Sequence, residues 1–301
     1  MKLLTHYLNE RKAAQPDIMN WRENYINDSL FYSCRSTDYN RQNYPSRMHY
    51  HEYYELVIFL EGEIHYICES EVYPVQYGDI ILIPPRKLHM SMINSETTHY
   101  RRHVFYLYPD AFDALGCGAL TDFLKKNQDR YLLTTLGQKE RRELFSLLDK
   151  LDEALKDTEN QLDRALALGY IIQIFYLFNK ESFKEHEHKQ YLPENILKIQ
   201  HYLDEHFHEI NTVAEVATHF FYSREYVSRL FKQYFNTTVA DYIKMRKVAY
   251  SQTLIARGIP LSEVCFQAGF GNLTTFIRAF HSIAGMAPSQ YRKMVSENVD
   301  T

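Results

Sequence analysis

Val213-Ala-Glu-Val-Ala217, followed after five residues by Ser223-Arg-Glu-Tyr-Val-Ser-Arg-Leu-Phe-Lys232, reads as two short helices joined by a tight turn. The same form recurs as Leu261-Ser-Glu-Val-Cys265 and Asn272-Leu-Thr-Thr-Phe-Ile-Arg-Ala-Phe280. Glu215 and Glu263 correspond at an offset of 48. After one extra residue, Gly271, the offset becomes 49 and pairs Arg229 with Arg278, Phe231 with Phe280, Asn236 with Gly285 and Tyr242 with Tyr291. A repeat of this period marks a duplicated supersecondary unit. The unit here is a helix-turn-helix, which points to duplex DNA.

Each unit can be read position by position. Thr212 with Glu215 makes a capping box, and Val213, Val216 and Ala217 give the first helix an apolar face. Ser223 caps the next helix, whose Val227, Leu230, Phe231 and Tyr234 should face the core. That leaves Arg224, Glu225, Ser228, Arg229 and Lys232 outside. In the second unit Phe276, Ala279, Phe280 and Ile283 should face inward, with Leu273, Thr274, Ile277, Arg278 and His281 outward. Asn236 and Gly285 suit the left-handed residue that ends a helix. The run from Val239 to Arg257 is amphipathic and long enough to hold the two units at a set separation.

The stretches Tyr242-Ile-Lys-Met-Arg246, Ala268-Gly-Phe-Gly-Asn272, Phe276-Ile-Arg-Ala-Phe280 and Gly285-Met-Ala-Pro-Ser-Gln-Tyr-Arg292 make this region resemble the DNA-binding domain of the AraC/XylS family of bacterial transcription regulators. The match runs from about Pro193 to Lys293. It departs from the family pattern at Phe221, where Gly is usual, and at His281, where Lys is usual and would supply a phosphate contact. The resemblance implies seven helices in two units, with both recognition helices entering successive major grooves. It also implies Arg224, Glu225, Ser228 and Arg229 in the first recognition helix, and Leu273, Thr274 and Arg278 in the second, as base-contact candidates. For Arg278, a phosphate contact or an internal brace stays open.

Charge agrees with a local nucleic-acid surface. From Phe220 to Lys293 there are ten Lys/Arg and three Asp/Glu, a net +7, against 24 and 35 in the remainder, a net −11. Lys232, Lys244, Arg246, Lys247, Arg257 and Arg292 are the expected phosphate contacts.

The first half differs in kind. Between Asp28 and about Tyr108 short apolar runs such as Leu56-Val-Ile-Phe-Leu60 and Ile80-Ile-Leu-Ile83 alternate with the turn signals Glu61-Gly62-Glu63 and Tyr77-Gly78-Asp79, the spacing of an antiparallel barrel or sandwich. His49-Tyr-His51, Glu55 and Gly62, then Gly78-Asp-Ile-Ile-Leu-Ile-Pro84 with His89, resemble the two cupin motifs, with Arg86 where Gly is usual. His49, His51 and Glu55 share parity, so one unbroken strand would point them to one face. With His89 they form a three-imidazole, one-carboxylate set suited to a divalent ion. The alternative is a polar pocket for a small effector, lined by Trp21, Tyr32, Arg35, His49, His51, Tyr53, Glu55, Tyr66, His89 and His103. Such rings with polar neighbours suit a sugar or sugar derivative. Related sensors carry an N-terminal arm that folds over the ligand, and Trp21 lies in its place.

The expected architecture is multidomain α+β: a cupin-like effector-binding β-barrel with an N-terminal arm over residues 1–135, a helical dimerisation segment over 136–183, a linker over 184–192, and an all-α double helix-turn-helix over 193–301. In the helical segment Leu144, Leu147, Leu148, Leu151 and Leu155 line one helix, and Leu162, Leu166, Ile171, Ile174, Phe175 and Phe178 a second. These faces either form a dimer seam, as the resemblance implies, or cover the barrel. His186-Glu-His188 falls in the polar linker. Cys34, Cys68, Cys117 and Cys265 show no paired spacing, so neither a zinc framework nor disulfides are expected, and Cys265 suits a core. Met1-Lys-Leu-Leu-Thr-His has no apolar stretch after it, and the ten-residue run Gly169 to Phe178 is too short to span a bilayer, so a soluble cytoplasmic protein is expected.

The leading reading is an effector-responsive transcription regulator without a cofactor and without catalysis. Its expected partners are double-stranded promoter DNA, a small effector such as a carbohydrate, a second copy of the chain and, for an activator, RNA polymerase. The alternatives are a metal-binding cupin, sensor or enzyme, fused to a DNA-binding module, and a barrel serving only for assembly.

Overall fold

A computed structural model describes residues 20–27, 29–38, 48–69, 71–93, 99–128, 130–156, 160–180 and 192–297. The side chains of Trp21 and Arg35, the first nineteen residues and the linker histidines lie outside the described residues.

Among the described residues, nine antiparallel strands build the first domain: β1 (Asn20–Asn27), β2 (Leu30–Asp38), β3 (Tyr54–Glu61), β4 (Ile64–Cys68), β5 (Glu71–Val75), β6 (Asp79–Ile83), β7 (His89–Ile93), β8 (His99–Leu107) and β9 (Leu132–Thr135). They form a six-stranded sheet in the order β1-β2-β8-β3-β6-β9 and a three-stranded sheet in the order β5-β4-β7. The turns expected at Gly62 and Gly78 separate β3 from β4 and β5 from β6.

The apolar run in β3 is continuous rather than alternating because both faces of the larger sheet are covered. Val57 and Phe59 point between the sheets, where they meet Tyr66, Tyr73, Tyr100 and Tyr106. Leu56 and Ile58 point the other way, under a helical layer. That layer begins with the short α1 (Asp122–Lys126) and continues as α2 (Gln138–Ala154) and α3 (Gln161–Lys180). Leu144, Leu147, Leu148 and Leu151 of α2, with Ile171, Ile174, Phe175 and Phe178 of α3, are buried on the sheet. Each such side chain contributes about 1.5–3 kcal/mol of transfer free energy. Of the two uses expected for these stripes, covering the barrel is therefore the one observed. Leu162 and Leu166 do not join them and stay 79% and 49% exposed.

The described residues of the second domain form seven helices: α4 (Glu194–His206), α5 (Val213–His219), α6 (Arg224–Phe235), α7 (Val239–Ala256), α8 (Leu261–Gln267), α9 (Leu273–Ala284) and α10 (Pro288–Glu297). Thr212 Oγ1 accepts the Glu215 amide, whereas the return arm of Glu215 accepts the amide of Asn211 instead of Thr212. Ser223 and Asn272 cap α6 and α9 in the same way, accepting the amides of Tyr226 and Thr275. Asn236 (φ 49°) and Gly285 (φ 71°) end those helices in the left-handed region.

Candidate DNA interface and effector barrel

The two helix-turn-helix units are α5–α6 and α8–α9, joined by α7. Val227, Leu230 and Phe231 of α6, and Phe276, Ala279 and Phe280 of α9, are buried. Their opposite faces therefore turn outward, with Arg224, Glu225, Ser228, Arg229 and Lys232 exposed on α6, and Leu273, Thr274, Ile277, Arg278 and His281 on α9. Arg229 also lies with its guanidinium carbon 5.8 Å from the Tyr226 ring centre. Lys244 and Arg257 are exposed on and just after the connecting helix.

Three of the expected phosphate contacts are turned inward instead. Lys247 is buried, and its ammonium donates to Asn211 Oδ1 at 3.0 Å and to the Gly269 carbonyl at 2.8 Å. It thus braces the start of the first unit against the turn of the second. Burial is what lowers its pKa. Arg292 donates to the carbonyl of Ile259. Arg246 pairs through Nη1 with Glu69 of the barrel at 2.7 Å and through Nε with Asp204 of α4 at 3.2 Å. Periodicity could not separate these cations from surface ones, because the groups that claim them come from distant parts of the chain.

Inside the barrel, His51, Glu55, His89 and His49 converge, but not from an unbroken strand. β3 starts only at Tyr54, and His49 sits in an isolated bridge to His89, with backbone bonds of 3.0 and 2.9 Å. Glu55 Oε2 lies 2.9 Å from His51 Nε2 and 3.3 Å from His89 Nε2. The other ring nitrogens approach the carbonyls of Tyr53 (2.8 Å) and Lys87 (2.9 Å). A carbonyl can only accept, so Nδ1 carries the proton in both rings and both Nε2 lone pairs face the carboxylate. Only a shared proton or a cation makes such a face-off favourable. His89 Nε2 is buried without a hydrogen bond. This donor set therefore fits a divalent ion, with carbonyl-anchored imidazoles of the kind that ligate metals. Burial lowers His51, against the pull of Glu55. Burial alone would raise Glu55, but the two imidazoles beside it hold it well below the carboxylate range.

The remaining expected pocket residues separate. Tyr53, stacked on His51 at 4.2 Å, and Tyr66, whose hydroxyl meets that of Tyr100 at 2.9 Å, are in the barrel interior. Tyr32 and His103 lie on the other face of the sheet, under α2, with Asp152. The parity of β2 and β8 decides this, since Tyr32 shares its face with Leu30, and His103 with Phe105, in the layer beneath the helices. A separate cleft of about 470 Å³ opens between the barrel rim and α7, lined in part by Tyr54, Glu69, Arg86, Lys87, Arg246 and Arg257. None of the eight described residues expected to hold an effector lines it.

A family profile described as an AraC-like ligand binding domain matches residues 32–175, and a helix-turn-helix domain profile matches residues 216–294. The chain belongs to the AraC family of transcription regulators. Among its relatives is the uncharacterized HTH-type transcriptional regulator YbfI of Bacillus subtilis, 23% identical over 240 residues that cover 77% of this chain and 80% of that one. The HTH-type transcriptional activator RhaR of Mannheimia succiniciproducens is 22% identical over 256 residues, 82% of this chain and 87% of its own. Among solved structures, ToxT of Vibrio cholerae O395 overlays with a TM-score of 0.34 at 15% identity, covering 89% of this chain and 99% of its own. No helix among the described residues of this AraC-family chain is long and apolar enough to cross a membrane.

In this regulator the barrel and the DNA-binding helices share a core. Met48, Ile67, Val72, Leu88 and Met90, from the outer face of the smaller sheet, pack with Ile196, Ile199, Leu203 and Val227. Two polar ties flank them. One is Glu69–Arg246–Asp204. The other is Glu52, whose Oε2 accepts from Arg86 at 3.1 Å and from the hydroxyl of Tyr291 on α10 at 2.9 Å. Arg86 is left-handed (φ 63°), the conformation a glycine would adopt more cheaply. The departure from the cupin pattern at this position thus coincides with a contact between domains.

Proposed function

We propose that a small molecule, a sugar or sugar derivative, binds within the barrel domain and changes how two copies of the chain present their paired recognition helices to promoter DNA. What carries the DNA half of this reading is the matched pair of helices α6 and α9, each capped identically, apolar inside and exposed outside, on one connecting helix. Aromatic rings with hydroxyl, imidazole and carboxylate neighbours in the barrel support a carbohydrate, whose CH faces stack while its hydroxyls hydrogen-bond. For an effector to act, its affinity must differ between the two arrangements of the helices. The exposed Leu162, Leu166 and Tyr176, at helical spacing on α3, are the face on which a second copy would seat. RNA polymerase is the further partner if the promoter is activated.

The test is footprinting of the upstream promoter with purified protein, run beside a thermal-shift screen of sugars. Protection of two adjacent major grooves, changed by a sugar that also raises the melting temperature, is the expected result. Protection unaffected by any stabilising sugar would defeat the effector assignment while leaving DNA binding intact.

A second reading is favoured by one observation, the two imidazole lone pairs facing Glu55. In it the barrel senses a divalent ion held by His49, His51, Glu55 and His89. Elemental analysis of protein purified without chelator decides it, since a metal-free protein that keeps its fold in chelator would exclude this role.

A further inference from the structure

The outer face of the six-stranded sheet carries a second group of ligating side chains, which the regulatory reading leaves unused. Cys34 on β2 and His103 on β8 are direct register partners, so their side chains leave the same face of the sheet. Asp152 comes down on that face from α2. One ligand atom from each of the three, a thiol sulfur, an imidazole nitrogen and a carboxylate oxygen, all lie within 4.8 Å of one another.

The hydrogen bonds around this group are ordered. Tyr32 donates its hydroxyl proton to Asp152 Oδ1 at 2.5 Å, so the same oxygen can only accept from His103 Nδ1, 2.7 Å away. Nδ1 therefore carries the proton, and Nε2 keeps its lone pair. Nδ1 also lies 3.9 Å from Asp152 Oδ2, so an ion held between them takes the place of this proton, which metal binding releases. Cys34 and Asp152 are half-buried, which leaves a way in, and Asp149 is exposed one turn earlier on α2.

We infer that Cys34, His103 and Asp152 form a binding site for a thiophilic divalent cation of the zinc type, with a fourth position open to water or Asp149. Thiolate, imidazole and carboxylate together suit zinc, which takes sulfur at about 2.3 Å and nitrogen or oxygen at about 2.0–2.2 Å. Opposed β-carbons some 4.5–5.5 Å apart can reach one ion at those lengths by side-chain rotation. The ion would tie β2 and β8 to α2 and so fasten the helical layer to the barrel. The site differs from the barrel cluster in carrying a sulfur.

Cobalt(II) titration of the full-length reduced protein tests this, because a thiolate ligand gives a sulfur-to-cobalt charge-transfer band that imidazole and carboxylate do not. The wild type should show the band at one equivalent, and zinc should abolish it and raise the melting temperature. Cys34→Ser should lose both the band and the zinc-induced shift. His103→Gln and Asp152→Asn should each weaken zinc binding at least tenfold, and the Asn still accepts the Tyr32 proton. A band that persists in Cys34→Ser would place the sulfur at another of the free cysteines, Cys68, Cys117 or Cys265, and overturn the assignment. So would the absence of any band in the wild type.

Discussion

The two helix-turn-helix units came from one pattern, yet they solve the same turn differently. The residue that begins the turn in the first unit is Phe221, left-handed at φ 56° and 97% exposed. Its counterpart in the second unit, 48 residues on, is Gly269 at φ 76°. A β-carbon on Gly269 would stand 1.9 Å from the carbonyl oxygen of His208, just beyond α4. Conformation alone asks for glycine at both places, but only the second has another backbone pressed against it. The lesson is that a repeat preserves backbone geometry, while each copy's neighbours set how much side chain it tolerates.

The outer faces differ as well. The exposed side of α6 is charged and hydrogen-bonding, whereas Leu273 and Ile277, 48% and 42% exposed, give α9 an apolar component. Arg side chains read guanine edges, and apolar ones pack on the thymine methyl. The first unit also shares its core with five buried barrel residues and the half-buried Tyr50 and Met92, whereas the second unit's cluster takes in only the half-buried Tyr50 from the barrel, among the described residues.

Four experiments would break or sharpen the contrast. Gly269→Ala should cost about 2–5 kcal/mol in urea unfolding, since left-handed strain adds to an overpacked contact. A loss below about 1 kcal/mol would mean that His208 can retreat. Arg229→Ala should weaken specific DNA binding by about 1–3 kcal/mol in competition assays and leave scrambled DNA nearly unchanged. Leu273→Ala should cost less, and equal losses on both DNAs for Arg229→Ala would argue against base reading.

The third concerns the tie of the first unit. Burial pushes Asp204 up to about 6, against the lowering by Arg246 and the Tyr242 hydroxyl. A folded pKa above the unfolded value near 3.9 means the folded chain holds this proton more tightly. This group therefore favours folding increasingly as pH falls from above 6 towards 4, and Asp204→Asn should flatten that part of the profile. An unchanged slope would show that Asp204 does not titrate there. The smallest effect is expected from Phe221→Gly. Relief of about 1–2 kcal/mol of left-handed strain, less about 0.5–1 kcal/mol of added chain entropy, leaves a gain of about 0.5 kcal/mol. Destabilisation would instead show that the exposed ring has a partner.

Much of this could be read from the chain because the signals were local. Caps at Thr212, Ser223 and Asn272, left-handed ends at Asn236 and Gly285, and three- and four-residue apolar steps lie within a turn or two of what they determine. The barrel site was legible in part. Its histidines and glutamate could be picked out by motif, but their convergence depends on a bridge between His49 and His89 and on Nδ1 bonds to distant carbonyls. Tyr32 and His103, among the expected pocket residues, face the helical layer instead, since a list of polar aromatics carries no strand parity until the pairing is known. Arg246 and Lys247 looked like surface cations until Glu69 and Gly269 were brought to them.

The amino-acid order by itself determined the duplicated helix pairs, their inner and outer faces and the strand-rich first half, because periodicity and capping act over a few residues. Folding in three dimensions decided which cations stay free for DNA, which face of the large sheet holds the Cys34, His103 and Asp152 group, and how the barrel grips the first unit. Those outcomes rest on ion pairs and contacts between residues up to 239 positions apart, a range over which no local pattern carries information.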